Sequence, residues 1–375
     1  MFDTKTILFA AGGTAGHINP ALSVAGLVRY LHPGCGIHFV GTADRMEARL
    51  VPEAGYAFHT IDISGFQRDF SPAGIRRNLA TLRKLAKVTG QVNRLLNEIK
   101  PGLVIGFGGY VSGPVLRAAA KAGIPTAIHE ANAFPGMANK ALAPRVDAVM
   151  LADIAAAARM RCKNEPVVTG LPIRREFSQC ARARCRAELS LDTRPLVLSM
   201  GGSQGARALN EAVCGMIAQL WPARGAYFCH AYGQGGRGLP EDLRARGVDT
   251  EAPEIDLREY VSDTARCMAA ADLFIGRAGA STICELQALG KPAVLVPYPY
   301  AAENHQYYNA KTLADRGAAI VIEEKDLTAQ LLAKTVKELL NDPARLQAMG
   351  ETSKAMAVTD ANERIYSVLC TLVGG

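Results

Sequence analysis

The sequence predicts an α/β protein of two doubly wound parallel-sheet (Rossmann-like) domains in series, and three observations carry that reading. Glycine-rich turns of one design open each half, Gly12-Gly13-Thr14-Ala15-Gly16 and Gly201-Gly202-Ser203-Gln204-Gly205. They stand 201 − 12 = 189 residues apart, about the length of one α/β domain. Short apolar runs alternate with helix-period segments almost throughout, the mark of parallel strands joined by right-handed crossovers.

The elements follow in order. A strand over 7–11 leads through the first glycine turn into a helix, for which Asn19 and Pro20 read as N-cap and first helical residue. Further strands are predicted over 37–40, 58–63, 103–107, 125–129 and 148–151. A helix falls near 45–51, and Ile75, Leu79, Leu82, Val88, Val92, Leu95 and Ile99 recur at helical spacing. The second half repeats the alternation, with strands over 196–199, 226–229, 273–275, 293–296 and 319–322. Turn residues Thr169-Gly170-Leu171-Pro172 mark the boundary. The predicted division is therefore 1–168 and 169–355, with a C-terminal helix in 356–375 that packs on either domain. In such sheets ligands bind beyond the carboxyl ends of the strands, which singles out loops 12–19, 108–113, 129–136, 201–206, 276–285 and 297–306.

Composition narrows the class. Of 375 residues 49% are hydrophobic and 21% charged, a globular composition with material for two cores. Residues 6–28 carry no formal charge, yet Gly12, Gly13, Gly16, His17, Asn19 and Pro20 in their midst exclude a spanning helix, so membrane contact is peripheral. Nine cysteines without a Cys-x-x-Cys pair read as reduced, mostly buried thiols. The net charge of +7 has an address: Arg68, Arg76, Arg77, Arg83, Lys84 and Lys87 face Asp69 alone, with Phe66, Phe70, Ile75, Leu79 and Leu82 interleaved. That pattern suits either an anionic bilayer, at about 1 kcal/mol per cation, or a solvated helix with its apolar face on the core. No recognition motif accompanies the charge, so nucleic acid is not a partner.

Glycine turns between strand and helix offer backbone N–H groups to phosphate. His17 closes the first turn and is a candidate proton acceptor. His129 and Glu130 end a strand, and burial without partners would be costly, so they either pair or face a cleft. Glu130 is the second candidate base. In Arg277-Ala278-Gly279-Ala280-Ser281-Thr282-Ile283-Cys284-Glu285, Ser281 or Thr282 can cap a helix. Glu285 then accepts hydrogen bonds from ribose hydroxyls, or simply closes a Thr-x-x-Glu capping box. Asn304-His305-Gln306 reads as sugar contacts or as a polar helix start. No Asp-x-Asp pair and no His/Cys cluster is present, so no metal or cofactor is predicted. The first turn also lacks the Gly-x-Gly-x-x-Gly of dinucleotide enzymes.

Together these motifs resemble the MurG family. The match runs through Gly12 to His17, Gly41-Thr42-Ala43-Asp44-Arg45-Met46-Glu47, Gly108-Gly109-Tyr110-Val111-Ser112-Gly113-Pro114 and His129-Glu130-Ala131-Asn132. It continues through Gly201 to Ala206, Arg277 to Ala280, Glu285 and Gln306-Tyr307. The resemblance implies a GT-B fold, two domains facing across a cleft, the first for acceptor and membrane docking and the second for the UDP-sugar donor. It implies inverting transfer of N-acetylglucosamine from UDP-N-acetylglucosamine to the 4-hydroxyl of lipid I, forming lipid II, at the cytoplasmic face of the inner membrane. Cell-wall synthesis proteins would be further partners. By motif match Glu285 holds the ribose, Ala280 to Glu285 form the nucleotide-binding helix start, and Ser203 and Arg174 contact diphosphate. Val261 lies near uracil, Gln306 reads the sugar, and Thr14, Ala15, Gly16 and Asn132 complete the donor site. The chain departs from the pattern at Ala15, Leu171 and His305. Two other readings share the motifs: a non-hydrolysing UDP-sugar epimerase, and a non-catalytic scaffold that binds nucleotide sugar.

Overall fold

The computed structural model describes residues 2–63, 87–202 and 204–374. The chain forms two compact units, Met1–Ile173 with Asp360–Gly375, and Arg174–Thr359.

Seven strands build the first unit: β1 (Thr6–Ala11), β2 (Gly36–Gly41), β3 (Ala57–Thr60), β4 (Leu103–Gly108), β5 (Thr126–Glu130), β6 (Ala148–Leu151) and β7 (Val167–Val168). They form one sheet in the order β3-β2-β1-β4-β5-β6-β7, every pairing parallel. Helices cover both faces of a parallel sheet, so central strands become uniformly apolar, as TILFAA of β1 is. Phe9 of β1 stacks on Phe39 of β2 at 4.9 Å and lies 6.3 Å from Phe107 of β4, filling one face.

The first helix, Ala15–Leu31, starts earlier than the Asn19–Pro20 cap expected for it. The N–H groups of His17 and Ile18 both reach the carbonyl of Thr14, at 3.0 and 3.2 Å, so Thr14 is the N-cap. The shift puts Ala15, Gly16 and His17 in the first helical turn. Of the expected amphipathic stretch, 87–99 is helical and 64–86 lies outside the described residues.

The second unit holds β8 (Leu196–Met200), β9 (Tyr227–Ala231), β10 (Ile255–Arg258), β11 (Leu273–Gly276), β12 (Ala293–Leu295) and β13 (Ala319–Val321). Its sheet, β10-β9-β8-β11-β12-β13, is again all parallel. Strand β10 was not anticipated. It is an edge strand in which the charged residues Asp256 and Arg258 alternate with Ile255 and Leu257 and pair at 2.6 Å, which hides its apolar alternation.

The units divide at 173/174 and 359/360 where the sequence suggested 168/169 and 355/356. Residues 169–171 stay bound to the first sheet: Thr169 N–H donates to Leu151 O at 2.9 Å, and Leu171 is buried. The last helix, Ala361–Gly374, belongs to the first unit. Ile365 and Leu369 are fully buried there, and Asn362 Nδ2 donates to Ser23 Oγ at 3.0 Å. Among the described residues no helix is long and apolar enough to cross a membrane.

Candidate active site

In the first unit the strand order reverses beside β1, and the loops after β1, β4 and β5 gather at that point, where ligands of open α/β sheets bind. The β1 and β4 loops meet backbone to backbone. A Cβ on Gly109, whose φ is +81°, would fall 2.3 Å from Gly12 O, so glycine is obligatory. Buried Ser112 ties the pair together: its Oγ accepts from Gly108 N–H at 3.1 Å and lies 3.0 Å from Ala10 O. The His17 ring packs over Gly108, where any Cβ would come within 2.7 Å of Nδ1. Thr14 and Gly16 are exposed and Ala15 half-buried. Their turn thus presents the start of a helix, with amides not yet engaged by intrahelical bonds.

His129 and Glu130 each find partners elsewhere, as the cost of burial requires. His129 Nε2 lies 2.8 Å from Gly170 O, its ring stacks on Phe107, and burial holds its pKa below the usual imidazole range. A neutral ring that donates from Nε2 packs the strand end. Glu130 Oε1 accepts from Asn132 N–H (2.9 Å) and Asn132 Nδ2 (3.1 Å); Oε2 accepts from Gly136 N–H (3.0 Å) and Asn139 Nδ2 (2.8 Å). Both oxygens are doubly engaged, and the loop carrying Asn132 is built around this carboxylate.

In the second unit, the helix Ala280–Leu289 starts from Gly279, not from Ser281 or Thr282. Ile283 N–H reaches Gly279 O at 3.0 Å, which leaves the amides of Ala280, Ser281 and Thr282 as the open N-terminal donors. Thr282 is therefore inside the first turn and the Thr-x-x-Glu capping box is not formed. Glu285 is released from that role. Its carboxyl is largely buried, and burial pushes its pKa up to about 7 against the pull of Arg174. Arg174 Nε stands 3.9 Å from Glu285 Oε1, and its guanidinium pairs with Glu176 at 2.6 Å. One guanidinium, two carboxylates and a helix N-terminus thus share a small region, suited to a phosphorylated sugar with vicinal hydroxyls.

The rest of the predicted set is placed as follows. Gln306 lies in the first turn of the helix His305–Ala314, and its Oε1 accepts from Tyr298 N–H at 3.0 Å, leaving the amide nitrogen for a ligand. Val261 is buried and its carbonyl accepts from Thr264 Oγ1 at 2.9 Å. Cys284 and Ile283 line the helix, half-buried and buried. Ser203 lies outside the described residues. Arg277 was quoted only as part of a motif, yet it fastens the exit from β12. It donates to Val296 O and Pro297 O at 3.1 and 3.2 Å and pairs with Glu324. Glu47, too, was quoted only as the end of the Gly41–Glu47 motif; its role was not legible there, because one of its partners, Gly13, lies 34 residues away.

Two doubly wound domains with helix N-termini at their switch points define the GT-B class of nucleotide-sugar enzymes. Residues 7–151 match the glycosyltransferase family 28 N-terminal domain and residues 196–365 its C-terminal domain. A curated UDP-N-acetylglucosamine--N-acetylmuramyl-(pentapeptide) pyrophosphoryl-undecaprenol N-acetylglucosamine transferase of Desulforudis audaxviator is 39% identical over 371 residues, 98% of each chain. The crystal structure of Acinetobacter baumannii MurG superposes with a TM-score of 0.80 at 32% identity, covering 98% of this chain and 99% of that one. A putative UDP-N-acetylglucosamine 2-epimerase from Listeria monocytogenes reaches 0.69 at 15% identity, over 98% and 96%, and shares the fold alone. The chain belongs to the MurG family of glycosyltransferase family 28.

Proposed function

We propose that this enzyme transfers N-acetylglucosamine from UDP-N-acetylglucosamine to the muramoyl 4-hydroxyl of lipid I, giving lipid II of peptidoglycan. The observation that carries the reading is full-length identity to a curated transferase of that activity, joined to the Arg174–Glu285 group at an open helix start. The second unit binds the donor. Glu285 accepts the ribose hydroxyls, the amides of Ala280, Ser281 and Thr282 with Arg174 take the diphosphate, and Gln306 offers its amide nitrogen to the sugar. Ser203 and Val261 are assigned to diphosphate and uracil by motif match.

The first unit supplies the acceptor side. His17 removes the proton of the 4-hydroxyl as its oxygen attacks C1 of the donor sugar. The C1–O bond to UDP breaks on the opposite face, and a β-1,4 bond forms with inversion. Charge developing on the departing diphosphate is met by preorganised N–H groups and Arg174. Glu130, whose four acceptor positions are filled, holds the loop that carries Asn132. No Asp-x-Asp clamp exists in the sequence, so the cation at the diphosphate is a side chain. The lipid acceptor places the enzyme peripherally at the cytoplasmic face of the cell membrane, and the cations between Arg68 and Lys87 supply the attraction. Of these, Lys87 is described, exposed and 3.1 Å from Asp62.

The test is turnover of radiolabelled UDP-N-acetylglucosamine with a lipid I analogue by the purified full chain. A disaccharide product is expected; conversion of the donor alone into UDP-N-acetylmannosamine would instead make it an epimerase.

A further inference from the structure

The structure assigns a positioning role to a residue that the sequence marked only as the end of the Gly41–Glu47 motif: Glu47 is the internal anion that shapes the first glycine turn and thereby sets His17. This rests on the acceptor-side role proposed for that turn. Glu47 opens the short helix Glu47–Glu53 and is fully buried. Its Oε2 accepts from Gly13 N–H at 3.0 Å, and its Oε1 accepts from Thr42 N–H at 3.1 Å and Thr42 Oγ1 at 2.9 Å. Among the described residues no Lys, Arg or His is paired with it.

Space around the carboxylate is provided by two glycines. A Cβ on Gly12 would lie 2.6 Å from Glu47 Oε1, and one on Gly41 would lie 2.4 Å from Glu47 Cγ. Glycine at these positions clears a pocket for one side chain. The side chain bridges the ends of β1 and β2, from which the helix carrying His17 departs.

The chemistry of the donors makes a carboxylate necessary. Gly13 and Thr42 each present a backbone N–H, one to each oxygen, and neither can turn away. A glutamine amide has a single oxygen, so in either orientation an N–H faces an N–H. The same geometry separates the two glycine turns. The Gly13 amide, which a phosphate would otherwise use, is already spent on an internal anion.

The experiment is steady-state kinetics of Glu47→Gln in the full chain, with UDP affinity measured by calorimetry as a control on the second unit. The expected result is kcat reduced about 10- to 100-fold, the range for misplacing a reacting group by about 1 Å. KM for the donor and affinity for UDP should stay within about twofold of the parent. Wild-type kcat in Glu47→Gln would overturn the assignment. If that variant does not fold, Thr42→Val decides. It keeps both backbone donors and loses one hydroxyl, and kcat should fall about threefold or more with donor KM unchanged. Unaltered kcat there would overturn the assignment equally. Failure of the parent protein to turn over lipid I would instead remove the function on which the assignment rests.

Discussion

Replacing Glu285 with glutamine should stabilise the free protein while weakening its hold on the nucleotide. In the free protein burial lifts this carboxyl from 4.5 to about 7, although Arg174 pulls the other way. A carboxyl whose folded pKa is raised favours folding most below the unfolded value. That advantage is lost as pH climbs from about 4.5 to about 7. At about 1.4 kcal/mol per pH unit, the fold above pH 7 carries a cost of about 3 kcal/mol for keeping Glu285 ionised. The amide isostere escapes it. Thermal unfolding should therefore show Glu285→Gln melting higher than the parent at pH 8, by up to about 10 °C for a unit of this size, and matching it near pH 4.5. Donor binding should move the other way. An ionised carboxylate accepts from two ribose hydroxyls, and losing a charge-assisted bond costs about 1.5–3 kcal/mol, so the Kd for UDP should rise about 10- to 100-fold. A variant that melts no higher at pH 8, or that binds UDP as the parent does, would refute the reasoning.

Three further outcomes follow from the same geometry. His17→Ala should lower kcat by about 100-fold or more without changing UDP affinity, checked by steady-state assay and calorimetry. Excess EDTA should leave turnover at its original rate, because Arg174 and the Ala280–Thr282 amides face the diphosphate; loss of activity restored by a divalent ion would reject that assignment. His230 is buried against Ser199, and burial brings its pKa down to about 4. Its contribution is complete above about pH 6.5 and vanishes as pH falls toward 4. His230→Asn should therefore flatten the decline of stability across that window in acid-denaturation curves.

The alternation of strand and helix was legible because parallel strands buried on both faces are written as continuous apolar runs, β1 and β4 being the clearest. Edge strand β10 escaped because the charged pair Asp256 and Arg258 interrupts its apolar run. Helix starts were misread for a different reason. Asn19–Pro20 and Thr282–Glu285 both carry good capping residues, but β1 ends at Ala11 and β11 at Gly276, and the helices are capped soon after, at Thr14 and Gly279. The site divides in the same manner. Glu285 could be singled out from its own segment. The roles of Glu47 and Glu130 could not, because their donors come from residues brought close by the sheet or by a loop, and only the folded chain shows whose carboxylate is already filled.

A nucleotide sugar held by the second unit at the start of the helix Ala280–Leu289 is the centre of the proposed mechanism. A crystal of the full chain soaked with UDP-N-acetylglucosamine tests it most directly. Ribose oxygens are expected within hydrogen-bonding distance of Glu285, diphosphate oxygens on the amides of Ala280, Ser281 and Thr282 and on Arg174, and the acetamido sugar near Gln306. Uridine diphosphate seated instead on the Gly12–Gly16 turn of the first unit would contradict it.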